Sequence, residues 1–147
     1  PGYALGQFFV ESLETALDRA QVNSGDRVLV LGDSVLGPWP TLRARGLVPS
    51  GRFPWFFPLP LIQAIPPGPR RDREERRLAA DVADDLARDP PVAIFLQIGR
   101  TQAFPDGFDV RRWMLGFAST AGALGKYRYA FADGSWRVYL RVAENSS

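Results

Sequence analysis

The sequence predicts an α/β fold in which helices cover both faces of a mixed sheet. Two apolar runs, at residues 27–31 and 92–98, lack the polar alternation of half-exposed strands, so they are typical of strands covered on both faces. Segments with helical spacing of apolar residues lie before, between and after these runs. An alternating C-terminal segment with an Asp-Gly turn predicts an antiparallel hairpin. The 147 residues suffice for one core, so we expect a single soluble domain over 1–147.

The first predicted helix spans residues 7–22. Its apolar residues share one helical face, and they are Phe9, Leu13, Ala16, Leu17 and Ala20. The tripeptide Asn23-Ser24-Gly25 ends this helix. We interpret the next element, at residues 27–31, as a central, parallel strand that closes at Gly32.

Residues 37–69 are predicted to form a packed, irregular connection. They hold nine of the 13 prolines, a density that prevents long regular elements. They also carry five aromatic side chains, which indicate packing rather than disorder. We expect one short helix here, over residues 40–45.

Regular structure is predicted to resume near Asp72, with a helix that stops before Pro90. Its apolar stripe consists of Leu78, Ala79, Val82, Ala83 and Leu86. After the buried strand at 92–98, Asp109 is expected to cap one further helix that ends at Gly125, with Phe108 packed on Trp113. The apolar face of this helix consists of Val110, Trp113, Met114, Phe117 and Leu124.

The last predicted element is the hairpin around Asp133-Gly134. Its first strand places Tyr127, Tyr129 and Phe131 on one side. Its second strand places Trp136, Val138, Leu140 and Val142 opposite the polar residues. Together the elements predict a Rossmann-like sandwich with a mixed, mainly parallel sheet and a C-terminal antiparallel hairpin.

Composition excludes several classes of function. The chain has no cysteine and no histidine, which excludes thiol nucleophiles, imidazole ligands and Ser-His pairs. We therefore expect no metal and no cofactor. The 18 basic residues nearly balance the 16 acidic ones, and all but Lys126 are arginine, a bias typical of codon usage rather than of nucleic-acid binding. No run reaches the roughly 18 apolar residues of a membrane span.

One motif invites a hydrolase hypothesis. Leu31-Gly32-Asp33-Ser34 directly succeeds a strand and resembles the way in which GDS-type esterases present their nucleophile. That mechanism needs a base, and the chain offers no histidine and one lysine. We therefore predict no catalytic residue in this chain and keep a hydrolase using Ser34 as the less favoured alternative. In the structural alternative, Gly32 permits the turn and Asp33 or Ser34 caps the next element of the chain.

A second candidate surface combines aromatic and basic residues. Trp55, Phe56 and Phe57 precede an arginine-rich run that begins at Arg70 and Arg71. These side chains are candidates for contact with anionic lipid headgroups. Two structural alternatives stay open, because the arginines have acidic partners four residues away on a helix and the aromatic rings are equally suited to a core.

The order of motifs resembles a family of membrane enzymes. The relevant residues are the strand at 28–31, Trp39-Pro40 with Leu42, Gly46, Ser50-x-Arg52, Pro90-Pro91 before a strand, Tyr127, and Trp136-x-Val138-Tyr139-x-Arg141. This string is similar to the extracytoplasmic C-terminal domain of bacterial GT-C-class integral-membrane glycosyltransferases, the relatives of protein mannosyltransferases and the lipid A aminoarabinose transferase.

The resemblance implies a transferase that uses a polyprenyl-phosphate-linked sugar, with its catalytic acid in a membrane portion of the same polypeptide. The domain would lie on the periplasmic side of the inner membrane, excised here from a longer protein and non-catalytic alone. We expect it to shape the acceptor side through Asp33, Ser34, Trp39 and Arg52, with the lipid-linked sugar or the acceptor as partner and no nucleic acid. The alternative is a freestanding Rossmann-like module that binds a small ligand or a protein.

Overall fold

The computed structural model describes residues 13–32, 38–53, 56, 58–98 and 109–142. Residues 13–20 are helical and form α1, as the sequence predicts for that part of the chain. The other described helices are α2 (Trp39–Ala44), α3 (Pro58–Gln63), α4 (Pro69–Arg88), α5 (Val110–Leu115) and α6 (Ala118–Leu124).

The described strands form a single mixed sheet with the order β2-β1-β3-β5-β4. They are β1 (Arg27–Leu31), β2 (Val48–Pro49), β3 (Ala93–Gln97), β4 (Tyr127–Asp133) and β5 (Trp136–Arg141). β1 pairs in parallel with β2 and β3, whereas β5 pairs antiparallel with β3 and β4. The expectation of a mainly parallel sheet is wrong, because β2 is only two residues long and the hairpin adds two long antiparallel ladders.

The sheet separates two hydrophobic cores, which confirms that helices cover both of its faces. On β1, Val28 and Val30 face one core, while Leu29 and Leu31 face the other. The first core also contains side chains of α1 and α2, and the second contains side chains of α3, α4, α5 and α6. Both β1 and β3 are therefore covered on both faces, as their largely apolar sequences without polar alternation predict.

The long helix α4 packs through the predicted stripe. Leu78, Val82 and Leu86 are buried against the sheet. The helix begins at Pro69, three residues before the predicted start. Proline is favoured in the first turn of a helix because its amide nitrogen has no hydrogen to leave unpaired and its φ already suits the helix.

The predicted helix after Asp109 is in fact two helices. Asp109 caps α5 as expected, since its carboxylate accepts a hydrogen bond from the backbone N–H of Arg112 at 3.2 Å. The chain leaves the helical conformation at Phe117, which has φ −122° and ψ 134°, and α6 begins directly after it. The buried hydroxyl of Thr120 donates to the backbone carbonyl of Met114, so this carbonyl keeps a partner at the break. Phe108 lies outside the described residues.

The C-terminal hairpin is confirmed, but its first strand contains a β-bulge. Tyr129 lies opposite Tyr139 and Phe131 lies opposite Val138, so Ala130 is the extra residue. The extra residue reverses the alternation, and Phe131 packs against the core beneath α1 and α2. The prediction that Phe131 shares a face with Tyr127 and Tyr129 is therefore wrong.

Candidate functional site

The candidate site begins at the sheet edge where β1 and β3 end side by side. Open α/β sheets bind ligands at the carboxyl ends of parallel strands, and Leu31 pairs with Leu96 at this edge. The chain leaves β1 at Gly32, where an added Cβ would lie 2.5 Å from Oε1 of Gln97 and 3.2 Å from the Trp136 ring. A side chain at this position would therefore make the buried amide of Gln97 move.

Gln97 is a polar side chain at this edge that the sequence pattern did not bring out. It is 6% exposed at the end of β3, beside Gly32. The sequence signal for this residue is a single amide in an otherwise apolar strand. We predicted a buried strand there without assigning a role to that amide. Asp33 and Ser34 lie outside the described residues, so their assignment to a ligand site stays a prediction.

Trp39 lies on the surface at the start of α2. The helix spans one residue earlier than predicted at each end, with Pro40 in its first turn. Its buried face consists of Thr41 and Leu42, and the side chain of Trp39 is left 42% exposed. With Pro40, Arg43 and Ala44, it lines a shallow cavity of about 600 Å³. This cavity combines an aromatic face with the cationic side chain of Arg43.

Arg52 is held by a buried carboxylate. Asp85 on α4 is 3% exposed and accepts hydrogen bonds from the backbone N–H of Arg52 at 3.1 Å and from its Nη2 at 2.8 Å. Arg88 adds a third contact at 2.7 Å through its Nη2. Burial alone would raise the pKa of Asp85, but the hydrogen bonds from Arg52 and the charges of Arg52 and Arg88 outweigh it, so the pKa lies below its ordinary value.

The contacts of Arg52 fasten the loop after β2 to the end of α4. Hydrogen bonding to Asp85 raises the pKa of Arg52, so the guanidinium stays charged throughout. Two residues earlier, the Ser50 hydroxyl donates to the Asp89 carbonyl at 2.6 Å. Between them, Gly51 has φ +88°, a conformation that side chains disfavour. These contacts give Arg52 a bracing role in the loop, which is the structural alternative to its predicted contact with substrate.

The predicted membrane-surface residues fall into different environments. Phe56 is fully buried, with its ring edge-on to Phe53 and Trp113 at centroid distances of 5.8 and 5.6 Å. Its predicted place on the surface is therefore wrong, because this ring fills the core under α5. Trp55 and Phe57 lie outside the described residues.

The two arginines of that surface also differ. Arg70 is exposed. Arg71 is half-buried and pairs with Glu75 at 3.2 Å, which confirms the predicted pairing four residues apart on the helix. Arg71 also donates to the side-chain oxygen of Gln63 on α3. Arg71 therefore connects α3 to α4, and Arg70 is the one of the two that is open to a partner.

Two further features bear on function. Within the described ranges, no group of three or more potential ligand side chains is arranged to hold a metal ion. Every helix in that part of the chain is too short or too polar to cross a bilayer.

Comparison with known proteins found no match. Neither the protein-family models, nor the curated proteins, nor the solved structures contain a significant relative of this chain.

Proposed function

We propose that this chain is the extracytoplasmic, Rossmann-like domain of a GT-C-class membrane glycosyltransferase that uses a polyprenyl-phosphate-linked sugar. On this proposal the domain lies on the periplasmic side of the inner membrane. It contributes to the acceptor side of the site, and the membrane portion of the same polypeptide performs the chemistry. The support is the string of motifs that resembles those domains, together with the exposure of one motif residue, Trp39.

Most of the motif residues have roles within the fold. Leu42 is 2% exposed in the core beneath α1 and α2. Gly46 has φ +68° and packs closely against Ser24. Ser50 and Arg52 fasten the loop to α4. Packing and hydrogen bonding within the fold explain these residues, so the support for a ligand site comes from Trp39.

Trp39 differs from the other motif residues because the fold leaves much of its ring in contact with solvent. A large aromatic side chain that is 42% exposed beside a shallow cavity is typical of a contact surface. Its position also fits, since α2 comes after the chain leaves β1 at the ligand-binding edge of the sheet. A flat aromatic face of this kind is suited to stacking against the apolar face of a sugar ring.

Arg43 supports the same interpretation. It is exposed, lines the cavity with Trp39, and makes no ion pair with any residue in the described ranges. By contrast, Arg45, two residues on, is paired with Glu14 and with Asp18 at 2.7 Å. Arg43 is therefore available to meet a phosphate or carboxylate of the lipid-linked sugar or the acceptor.

The proposal also assigns a side of the domain to the bilayer. Arg70 is exposed at the start of α4, and Leu61 on the adjacent helix α3 is 67% exposed. Exposed apolar and arginine side chains are both suited to the boundary between headgroups and water. We propose that this exposed part of α3 and α4 faces anionic lipid, and the lipid contact of Trp55 and Phe57 stays a prediction.

The test is sugar transfer by the full-length enzyme in membrane vesicles, with Trp39→Ala compared with Trp39→Phe. Losing a stacked ring is expected to cost about 1 kcal/mol, so transfer by Trp39→Ala at limiting acceptor should fall roughly fivefold, while Trp39→Phe keeps most of it. The matched control is Leu115→Ala, which also removes an exposed apolar side chain, but from α5 on the other face of the sheet. Equal transfer by Trp39→Ala and Leu115→Ala, together with unchanged transfer after deletion of the whole domain, would contradict the proposal.

A further inference from the structure

A second cleft lies on the opposite side of the sheet from Trp39. It has a volume of about 490 Å³ and is bounded by the second half of α4, by α6, and by the ends of the hairpin strands β4 and β5. Ala83 and Ala87 of α4 and Ala123 of α6 give it an apolar side. Its volume falls in the range of small-molecule sites, about 300 to 1,000 Å³.

The other side of the cleft carries two cations, Lys126 and Arg141. They are close together because Lys126 directly precedes Tyr127, and Tyr127 lies opposite Arg141 in the hairpin. Neither cation makes an ion pair with another residue of the described part of the chain. The cleft has no acidic residue among its described lining residues, and Asp81 and Asp85 of α4 pair with Arg52.

The walls of the cleft are fixed by hydrogen bonds to the segment that connects α4 to β3. The hydroxyl of the buried Tyr127 donates to the Pro91 carbonyl at 2.9 Å. The backbone N–H of Arg141 donates to the Val92 carbonyl at 3.0 Å. A ligand entering the cleft therefore meets a surface that is already ordered, which lowers the entropic cost of binding.

We propose that this cleft binds a phosphate monoester that carries an alkyl chain. Lysine and arginine have only donors, so two such side chains without an acidic partner favour an anion. A phosphate monoester carries about −1.5 to −2 charges at pH 7, which matches the two cations, and the arginine fork suits its oxygens. The alanine side of the cleft takes the alkyl chain. The cleft and its cations are independent of the proposed transferase function.

The experiment is titration calorimetry of the 147-residue chain with octyl phosphate, inorganic phosphate and octanol. The test variant combines Lys126→Gln and Arg141→Gln, and the matched control is Arg73→Gln, which removes an exposed arginine from the other end of α4. Octyl phosphate is expected to bind more tightly than either fragment. The double variant should weaken its binding at least roughly tenfold, since each lost contact is a charge-assisted hydrogen bond. The control should leave it unchanged.

A second arm separates a free ligand from a membrane lipid. Sedimentation with phosphatidylcholine vesicles that contain phosphatidic acid tests a phosphate monoester held in a bilayer. Binding to octyl phosphate or to these vesicles that the double variant loses supports the proposal, and the arm that binds identifies the source. Binding in neither arm, equal binding of octanol and octyl phosphate, or octyl phosphate binding that the double variant retains would overturn it. In the vesicle arm only the binding that the double variant loses is assigned to the cleft, because the Arg70 surface is itself proposed to face anionic lipid.

Folding of the variants is checked by circular dichroism, and a measurement on the unmodified chain covers the case in which the double variant unfolds. Raising the salt from about 50 mM to about 500 mM shortens the range of electrostatic attraction and should weaken octyl phosphate binding several-fold. In nuclear magnetic resonance spectra, the backbone signals of Ala87, Ala123 and Tyr127 should shift on binding. Salt-independent binding, or shifts confined to other regions, would equally overturn the proposal.

Discussion

Replacing Asp85 by alanine removes the acceptor that holds the loop after β2 against α4. The carboxylate is 3% exposed and accepts from the backbone N–H and the guanidinium of Arg52, and from Arg88. In the variant, the partly buried backbone N–H of Arg52 loses its partner, and two arginines face each other without a counter-charge. The loop should therefore detach from the helix, or stay in place with a lower free energy of unfolding.

The size of the effect can be worked out from these contacts. A hydrogen bond to a charged group contributes about 1.5 to 3 kcal/mol, which sets the cost for the backbone N–H. The ion pairs of the carboxylate add only about 1 kcal/mol, because the side chains of their arginine partners are 43% and 65% exposed and hence well screened by water. The free energy of unfolding should thus fall by about 3 kcal/mol. For a domain of this size that corresponds to a decrease in Tm of about 9 °C.

Urea and thermal unfolding followed by circular dichroism measure both quantities. Asp84→Ala is the matched control, because Asp84 is the exposed residue just before Asp85 on the same helix. It should change the free energy of unfolding by less than about 0.5 kcal/mol. If Asp85→Ala destabilised the domain no more than Asp84→Ala does, the bracing role given to Asp85 would be refuted.

Two further predictions concern stability. The pKa of Asp85 in the folded state lies below its ordinary value of 3.8. The ionised carboxylate therefore contributes fully to the free energy of unfolding at neutral pH, and this contribution is lost as the pH falls through the folded-state pKa. The difference in unfolding free energy between the wild type and Asp85→Asn should therefore be constant at neutral pH and shrink in acid, and a difference that grew in acid would contradict this. Gly32→Ala places a Cβ against the buried amide of Gln97. Denaturant titration should therefore show a decrease of about 1 to 3 kcal/mol in the free energy of unfolding. An unchanged free energy of unfolding would mean that the chain is not closely packed at Gly32.

The elements that the sequence predicted correctly are those whose signals are local and repeated. β1 and β3 are mostly apolar, and α4 has an apolar stripe over residues 78–86. The hairpin has alternation on both strands and Gly134 at its turn, with φ +53°. In each of these elements the local spacing of apolar residues is enough to predict a helix or a strand, without contacts to the rest of the chain.

The errors arise where one residue or one distant contact decides the structure. The bulge at Ala130 moves Phe131 to the other face of the sheet, and no alternation pattern can show an inserted residue in advance. Likewise, at the break at Phe117 the Thr120 hydroxyl donates to the Met114 carbonyl, a contact six residues apart that the apolar periodicity does not show.

The candidate site was predictable only in part, for the same reason. Trp39 was identified from its motif, and the structure adds that it is exposed beside Arg43. The contact between Arg52 and Asp85 joins residues 33 positions apart, so spacing along the chain gives no sign of it. The cations of the second cleft come together only through the register of β4 and β5.

The order of the strands also determines which strands lie at the two edges of the sheet, where another copy of the chain could pair. One margin of the sheet is β2, which has only two residues, one of them a proline with no N–H to donate. The other margin is β4, where the bulge interrupts the ladder and the Arg19 side chain donates to the carbonyl of Ala132 at 3.2 Å. Among the residues that the structure describes, neither margin presents a long, flat row of free backbone groups, and both features disfavour the edge-to-edge pairing that leads to aggregation.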